Sequence, residues 1–200
     1  MPAINFSDRL HIWLISKAPK TLQGLVDHFS EKSYAILFLI LMAIPALPLP
    51  TGGVTHVFEI ISMLLALELI AGLDKVWLPK RWRGLSLPLK LQNSTLPFLI
   101  KAIRKVEGLP RPGLRIVFNN TFVVRIIGLL ILIFTLFAFL APPFSGLDTL
   151  PSLAVVLISL AMILDDFILF LLGLVIGSVG IGLVIGLGKI LTNLISARLF

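Results

Sequence analysis

The sequence predicts an all-α, polytopic integral membrane protein with two internal repeats, each a re-entrant or broken helical hairpin preceded by interfacial amphipathic helices. Three observations carry this prediction. Of 200 residues, 58% are hydrophobic and 14% charged, and mean hydropathy is +1.05, more apolar surface than a core of this size hides from water. The knot Pro45-Ala46-Leu47-Pro48-Leu49-Pro50-Thr51-Gly52-Gly53 separates two apolar runs, and about 97 residues later Pro142-Pro143-Phe144-Ser145-Gly146 interrupts another in the same way. Ile61-Ser62 and Glu68 of the first copy are matched by Ile158-Ser159 and Asp165 of the second. Repeated Pro/Gly-broken hydrophobic segments place irregular backbone and polar groups at bilayer depth. Finally, between Lys75 and Arg125 the bases face a single acid, Glu107, so this loop is expected on the cytoplasmic side.

One membrane domain, 1–200, accounts for the chain. Repeat 1 covers about 5–73, a basic cytoplasmic loop with interfacial helices about 74–115, and repeat 2 about 95–171, its interfacial helices lying in that loop. A Gly-rich helix follows over about 172–197. No cleavable signal is expected, because Asn5, Asp8, Arg9 and His11 interrupt the N-terminal stretch. The cysteine count is 0, which excludes disulfide and thiol chemistry.

Phe6, Leu10, Trp13 and Leu14 recur at helical spacing, as do Leu22, Leu25, Val26 and Phe29 after Pro19. These predict two short amphipathic helices at headgroup level. Ser33 to Leu47 is apolar for fifteen residues, about 22 Å as a helix and short of the roughly 30 Å hydrocarbon layer. A helix that stops part-way is the expectation there. Val54 to Leu73 returns with Glu59 and Glu68, then Trp77-Leu78-Pro79 and Lys80, Arg81 and Arg83 suit an aromatic and basic anchor. Leu96, Leu99, Ile103 and Val106 form a stripe with Lys101, Arg104 and Lys105 off it, predicting another interfacial helix. Val123 to Leu140 is long enough to cross, Asp148 marks a short outside loop, and the remaining apolar stretch divides near Asp165 and Asp166. In the last segment, Gly173/Gly177, Ser178/Gly182 and Gly182/Gly186 are small-xxx-small pairs. They suit either a homodimer or repeat interface, or close packing within one bundle.

An ionised carboxylate at mid-bilayer costs roughly 2.5–3.5 kcal/mol, so the acids within apolar segments need partners, protonation or water. Glu59 lies three residues from both His56 and Ser62, on adjoining helix surface just past the first knot. Two readings stay open: an ion or proton site, or side chains that satisfy backbone freed by the prolines. His56, Glu59, Ser62, Glu68 and Asp166 are the candidate polar set. The hairpin loops contribute Pro45, Pro48, Pro50, Gly52, Gly53, Pro142, Pro143 and Gly146. Lys80, Arg81, Arg83, Lys101, Arg104 and Lys105 are the candidate contacts to anionic headgroups, at about 1 kcal/mol each. Bases between membrane flanks make lipid the expected partner and nucleic acid not. With no HExxH, GxxxxGK[ST] or GxSxG pattern, no enzyme chemistry, metal or cofactor is expected.

Several motifs together resemble the ExoD family of bacterial inner-membrane proteins associated with exopolysaccharide synthesis. They are the turn Pro45 to Gly53, Leu65 to Leu69 followed by Gly72 and Trp77-Leu78-Pro79, Glu107 with Arg111-Pro112, and Leu150-Pro151-Ser152 leading to Ser159-Leu160 and Asp166. Relative to the family's usual residues, Glu68 replaces Gln, Asp165 a basic residue, Phe167 Gly, and Val76 Pro. The resemblance implies an inner-membrane role in polysaccharide production or export, with the polysaccharide-synthesis machinery as partner; with the apolar segments and the missing catalytic motifs, the expectation is a multi-pass, non-enzymatic component. The resemblance also implies a link to growth in alkaline conditions, which makes an ion or proton transporter an alternative; a dimeric lipid-organising scaffold is another. Counting of crossings makes the repeats parallel, whereas an insertion of the first hairpin or of 86–110 would invert them, the arrangement that favours a central transport site.

Overall fold

The computed structural model describes residues 5–29, 32–47, 54–73, 75–108, 120–142 and 145–199, with side chains through Leu187 except that of Val54. Among them the chain is helical, without strands. The helices are α1 (Phe6–Ile15), α2 (Leu22–His28), α3 (Ser33–Ala43), α4 (Val54–Ala71), α5 (Lys80–Arg83), α6 (Leu96–Glu107), α7 (Thr121–Leu140), α8 (Thr149–Leu164) and α9 (Phe167–Leu199). A π-helical turn, Leu91–Thr95, leads into α6. An isolated bridge between Thr21 and Ser86 ties the segment after α5 to the start of α2.

The prolines set the helix ends as steric exclusion predicts. α3 and α7 each stop two residues before a proline, Pro45 and Pro142, whose ring disfavours α backbone at the preceding residue. α7 begins where the Asn120 side chain accepts from Phe122 N–H at 2.9 Å. α4 ends at Gly72, φ 80°, with Leu73 N–H returning to the Glu68 carbonyl at 3.1 Å, a glycine-terminated cap. α8 ends at Asp165, whose φ of 55° turns the chain. Asp166 Oδ1 then accepts from Ile168 N–H at 2.8 Å and Leu169 N–H at 3.2 Å. This cap starts α9 at Phe167, ahead of the 172 expected from glycine content, because the N-cap rather than the first glycine sets where the helix begins. Asp166→Ala should lower stability by about 1 kcal/mol, read as an earlier denaturant midpoint for the purified chain.

α3, α4, α7 and α8 close into a four-helix ring in which α3 packs on α4 and α8, and α7 packs on the same two. α9 lies outside against α8, with Gly173 opposite Ala154 and Ile158. All 11 residues of α3 are buried. A helix apolar all round belongs inside, and this one ends at Ala43, short of Leu47 where the apolar run ends. Among the described residues, two helices are long and apolar enough to cross a membrane: α7, and α9 from Phe167 to Leu187.

The amphipathic helices form where periodicity places them, but their stripes meet protein. Leu10, Trp13, Leu22 and Leu25 are fully buried, as are Leu96 and Ile103 nearly so. α2 packs on α3 and α5, and α1 on α6. Glu107 accepts from Ser7 N–H at 3.2 Å and Ser7 O–H at 2.5 Å, and Arg104 pairs with Asp8 at 2.8 Å, so α6 caps α1 from about a hundred residues away. Lys20 Nζ lies 4.7 Å from the Trp13 ring centre and donates to the Trp13 and Ser16 carbonyls. Burial lowers its pKa from the ordinary lysine value.

Candidate functional site

α4 and α7 run antiparallel in a register defined by three contacts. The His56 ring stands 5.1 Å from that of Phe139. A Cβ on Gly128 would lie 3.3 Å from the Ala66 carbonyl oxygen, and one on Gly72 would lie 2.8 Å from Arg125 Nη2. α3 and α8 are likewise antiparallel, because Lys32, just before α3, donates to the carbonyls of Met162 and Ile163 at 3.3 and 2.6 Å and pairs with Asp165 at 3.3 Å. Both proline loops therefore leave the ring at one end. Of the loop residues, Pro45 is buried, Pro142 is exposed with its carbonyl accepting from Ser145, and Gly146 takes φ 68°. Pro48, Pro50, Gly52, Gly53 and Pro143 lie outside the described residues.

At that loop end His56 Nδ1 and Glu59 Oε2 are 2.7 Å apart, an i, i+3 pair on the first turns of α4. Glu59 is 0% exposed and His56 partly exposed, so the imidazole connects the carboxylate to the surface at the loops. Asp148, in the turn before α8, is near enough for His56 to act on its charge, while burial pushes its carboxyl above the usual range. Ser62 lies a turn deeper, also fully buried.

The five predicted polar residues do not form one site. His56, Glu59 and Ser62 gather at the loop end; Glu68 and Asp166 sit at the other. Glu68 Oε2 accepts from Tyr34 O–H at 3.1 Å and Trp77 N–H at 2.9 Å, tying the segment after α4 to the start of α3. Asp166 caps α9. Glu68 and Asp165, matched by spacing, thus both end their helices in polar contacts away from the loops.

Thr135 went unread in the sequence, and Ser152 was singled out only as part of the Leu150-Pro151-Ser152 motif, not as a candidate polar residue. Thr135 of α7 and Ser152 of α8 are fully buried, and their hydroxyls, like that of Ser62 and Glu59 Oε1, find no partner among the described residues. An isolated hydroxyl within an apolar run was the available signal, and it carries little weight, because most such groups bond the carbonyl one turn back. Ser159 does so, donating to Val155 O at 2.6 Å. The six candidate bases, Lys80, Arg81, Arg83, Lys101, Arg104 and Lys105, are all exposed on α5 and α6; Arg83 also donates to the Leu78 carbonyl and Arg104 is paired with Asp8.

The family model described as exopolysaccharide synthesis, ExoD, matches residues 6–186, which takes in every helix of the ring, both loop flanks and the Glu59–His56 pair. The chain belongs to the ExoD family. As an ExoD-family chain it is an exopolysaccharide-synthesis-related protein. It is also similar to a protein of Synechocystis sp. described as uncharacterized, 24% identical over 136 residues, which is 68% of this chain. The match spans 63% of that relative's length, less than two thirds. No solved structure matches.

Proposed function

We propose that this ExoD-family chain is a multi-pass, non-enzymatic inner-membrane component of exopolysaccharide synthesis or export, which binds a polar solute or ion where its two hairpins meet. The observation that carries this is the fully buried Glu59 carboxylate, held by the partly exposed His56 at the shared loop end of an apolar helical ring. A carboxylate kept there in lipid is expensive, and in membrane segments such groups serve binding and transfer.

The packing supports descent of the hairpins from one ancestor as parallel repeats. Exchanging α3 with α7 and α4 with α8 exchanges the α3–α8 contact with the α7–α4 contact. The same exchange relates Lys32 at the end of α8 to Arg125 at the end of α4. Parallel repeats about an axis along the membrane normal are an established transporter plan, with the site between the halves. The loops at one end speak against the inverted arrangement. Exposed Lys80, Arg81, Lys101 and Lys105 beside exposed Trp77, Leu89 and Phe98 support a cytoplasmic, headgroup-contacting position for the α5–α6 layer.

The test is genetic. Deleting the gene in a producing strain should reduce exopolysaccharide output; the wild-type chain should restore it, and Glu59→Gln, accumulating normally in the membrane, should not. Unchanged output in the deletion strain sinks the proposal.

A further inference from the structure

We infer that the loop end of the ring binds a monovalent alkali cation through Glu59 Oε1 and the hydroxyl oxygens of Ser62, Thr135 and Ser152. The inference deepens the binding role proposed above and rests on it for its membrane setting.

Four oxygens drawn from three helices carry it. Glu59, Ser62, Thr135 and Ser152 are each 0% exposed, and each supplies an oxygen with no hydrogen-bond partner among the described residues. A helical serine or threonine in an apolar setting can satisfy itself on the carbonyl four residues back. Ser159 and Ser178 do this, at 2.6 and 2.8 Å, whereas Ser62, Thr135 and Ser152 leave the same opportunity unused.

The register brings the four to one level of the ring. Antiparallel α4 and α7, with His56 against Phe139 and Ala66 against Gly128, carry Thr135 to the height of Glu59 and Ser62. On the other side, α9 packs Gly177 on Phe134 of α7 and Gly180 on Pro151 of α8, which carries Ser152 to the height of Thr135.

The donor set selects the ligand. It is all oxygen, one carboxylate with neutral hydroxyls, which suits a hard cation rather than a thiolate- or imidazole-seeking metal. A single negative charge matches a single positive one, and no group of three His, Cys, Asp or Glu side chains occurs among the described residues to hold a more highly charged ion. His56 holds the other carboxylate oxygen and so orients Oε1, the service an outer-shell partner gives a ligating group.

The test uses the purified full chain in detergent, with its unfolding midpoint followed in sodium, potassium or lithium chloride against choline chloride at equal ionic strength. At about a hundredfold excess over Kd, at least one alkali ion should raise the midpoint by roughly 5–10 °C, saturably, while choline does not. Thr135→Val, which keeps shape and removes one hydroxyl, should fold as well in choline and lose most of that rise; Ser62→Ala should do the same and stands in if the first variant misfolds. Equal midpoints in alkali and choline salts overturn the inference, as does an alkali rise that survives both substitutions. An intact deletion phenotype without an alkali rise removes the cation and spares the proposed function, whereas an alkali rise with normal polysaccharide output does the reverse.

Discussion

Gly177→Val should unfold or severely destabilise the chain, while Gly182→Val on the same helix should leave it nearly unchanged. A Cβ at 177 would overlap the Phe134 ring of α7, and that ring is itself buried. Neither side has room to give: the ring is held inside the bundle and α9 is pinned along its length by Gly173 on Ile158 and Gly180 on Pro151. Overpacking of this kind costs about 3 kcal/mol, at the upper end of the usual range, and two extra methyls add to the overlap. At Gly182 nothing lies within 4 Å of the added atom, so the change is confined to about 0.5 kcal/mol. Denaturant midpoints of the two purified variants, with membrane abundance as a second readout, decide this. Equal losses would show that α9 is not seated through close backbone approach.

Glu68→Ala should cost about 3 kcal/mol, and Glu68→Gln far less. Both hydrogen bonds to this side chain, from Tyr34 O–H and Trp77 N–H, reach the same oxygen, Oε2. Alanine removes the acceptor from both at once, and bonds to a charged partner contribute about 1.5–3 kcal/mol each. Glutamine places a carbonyl oxygen where Oε2 stands and needs no second acceptor. The measurement is again the unfolding midpoint, together with protease sensitivity of the segment after α4. If Glu68→Gln proved as damaging as Glu68→Ala, the site would depend on the charge and not on one acceptor atom.

These contrasts also show which features were legible in advance. Helical spacing placed α1, α2 and α6, and the apolar run ending before Pro142 placed the end of α7, whereas α3 stops at Ala43, four residues before the Leu47 expected from its apolar run. The division near Asp165 and Asp166 was visible as a polar break in an apolar run. The His56–Glu59–Ser62 cluster was visible because i, i+3 spacing is a property of one helix. Ser62 and Ser159 read as equivalent, matched within their repeats, yet one leaves its hydroxyl unpartnered and the other bonds its own helix. Nothing local separates them, since the difference depends on what the facing helix offers.

What the sequence determined by itself was the set of elements: their periodicity, their stops and their apolar character, because backbone sterics and hydropathy act within a few residues of chain. Partnership was decided only in three dimensions. That α3 is enclosed on every side, that Glu107 caps α1, that both proline loops share an end and that Thr135 and Ser152 stand level with Glu59 all follow from helix register. Register is set by side chains interlocking between helices far apart in the chain, and in an apolar sequence many pairings bury similar surface, so close approach at Gly128, Gly173 and Gly177 selects among them.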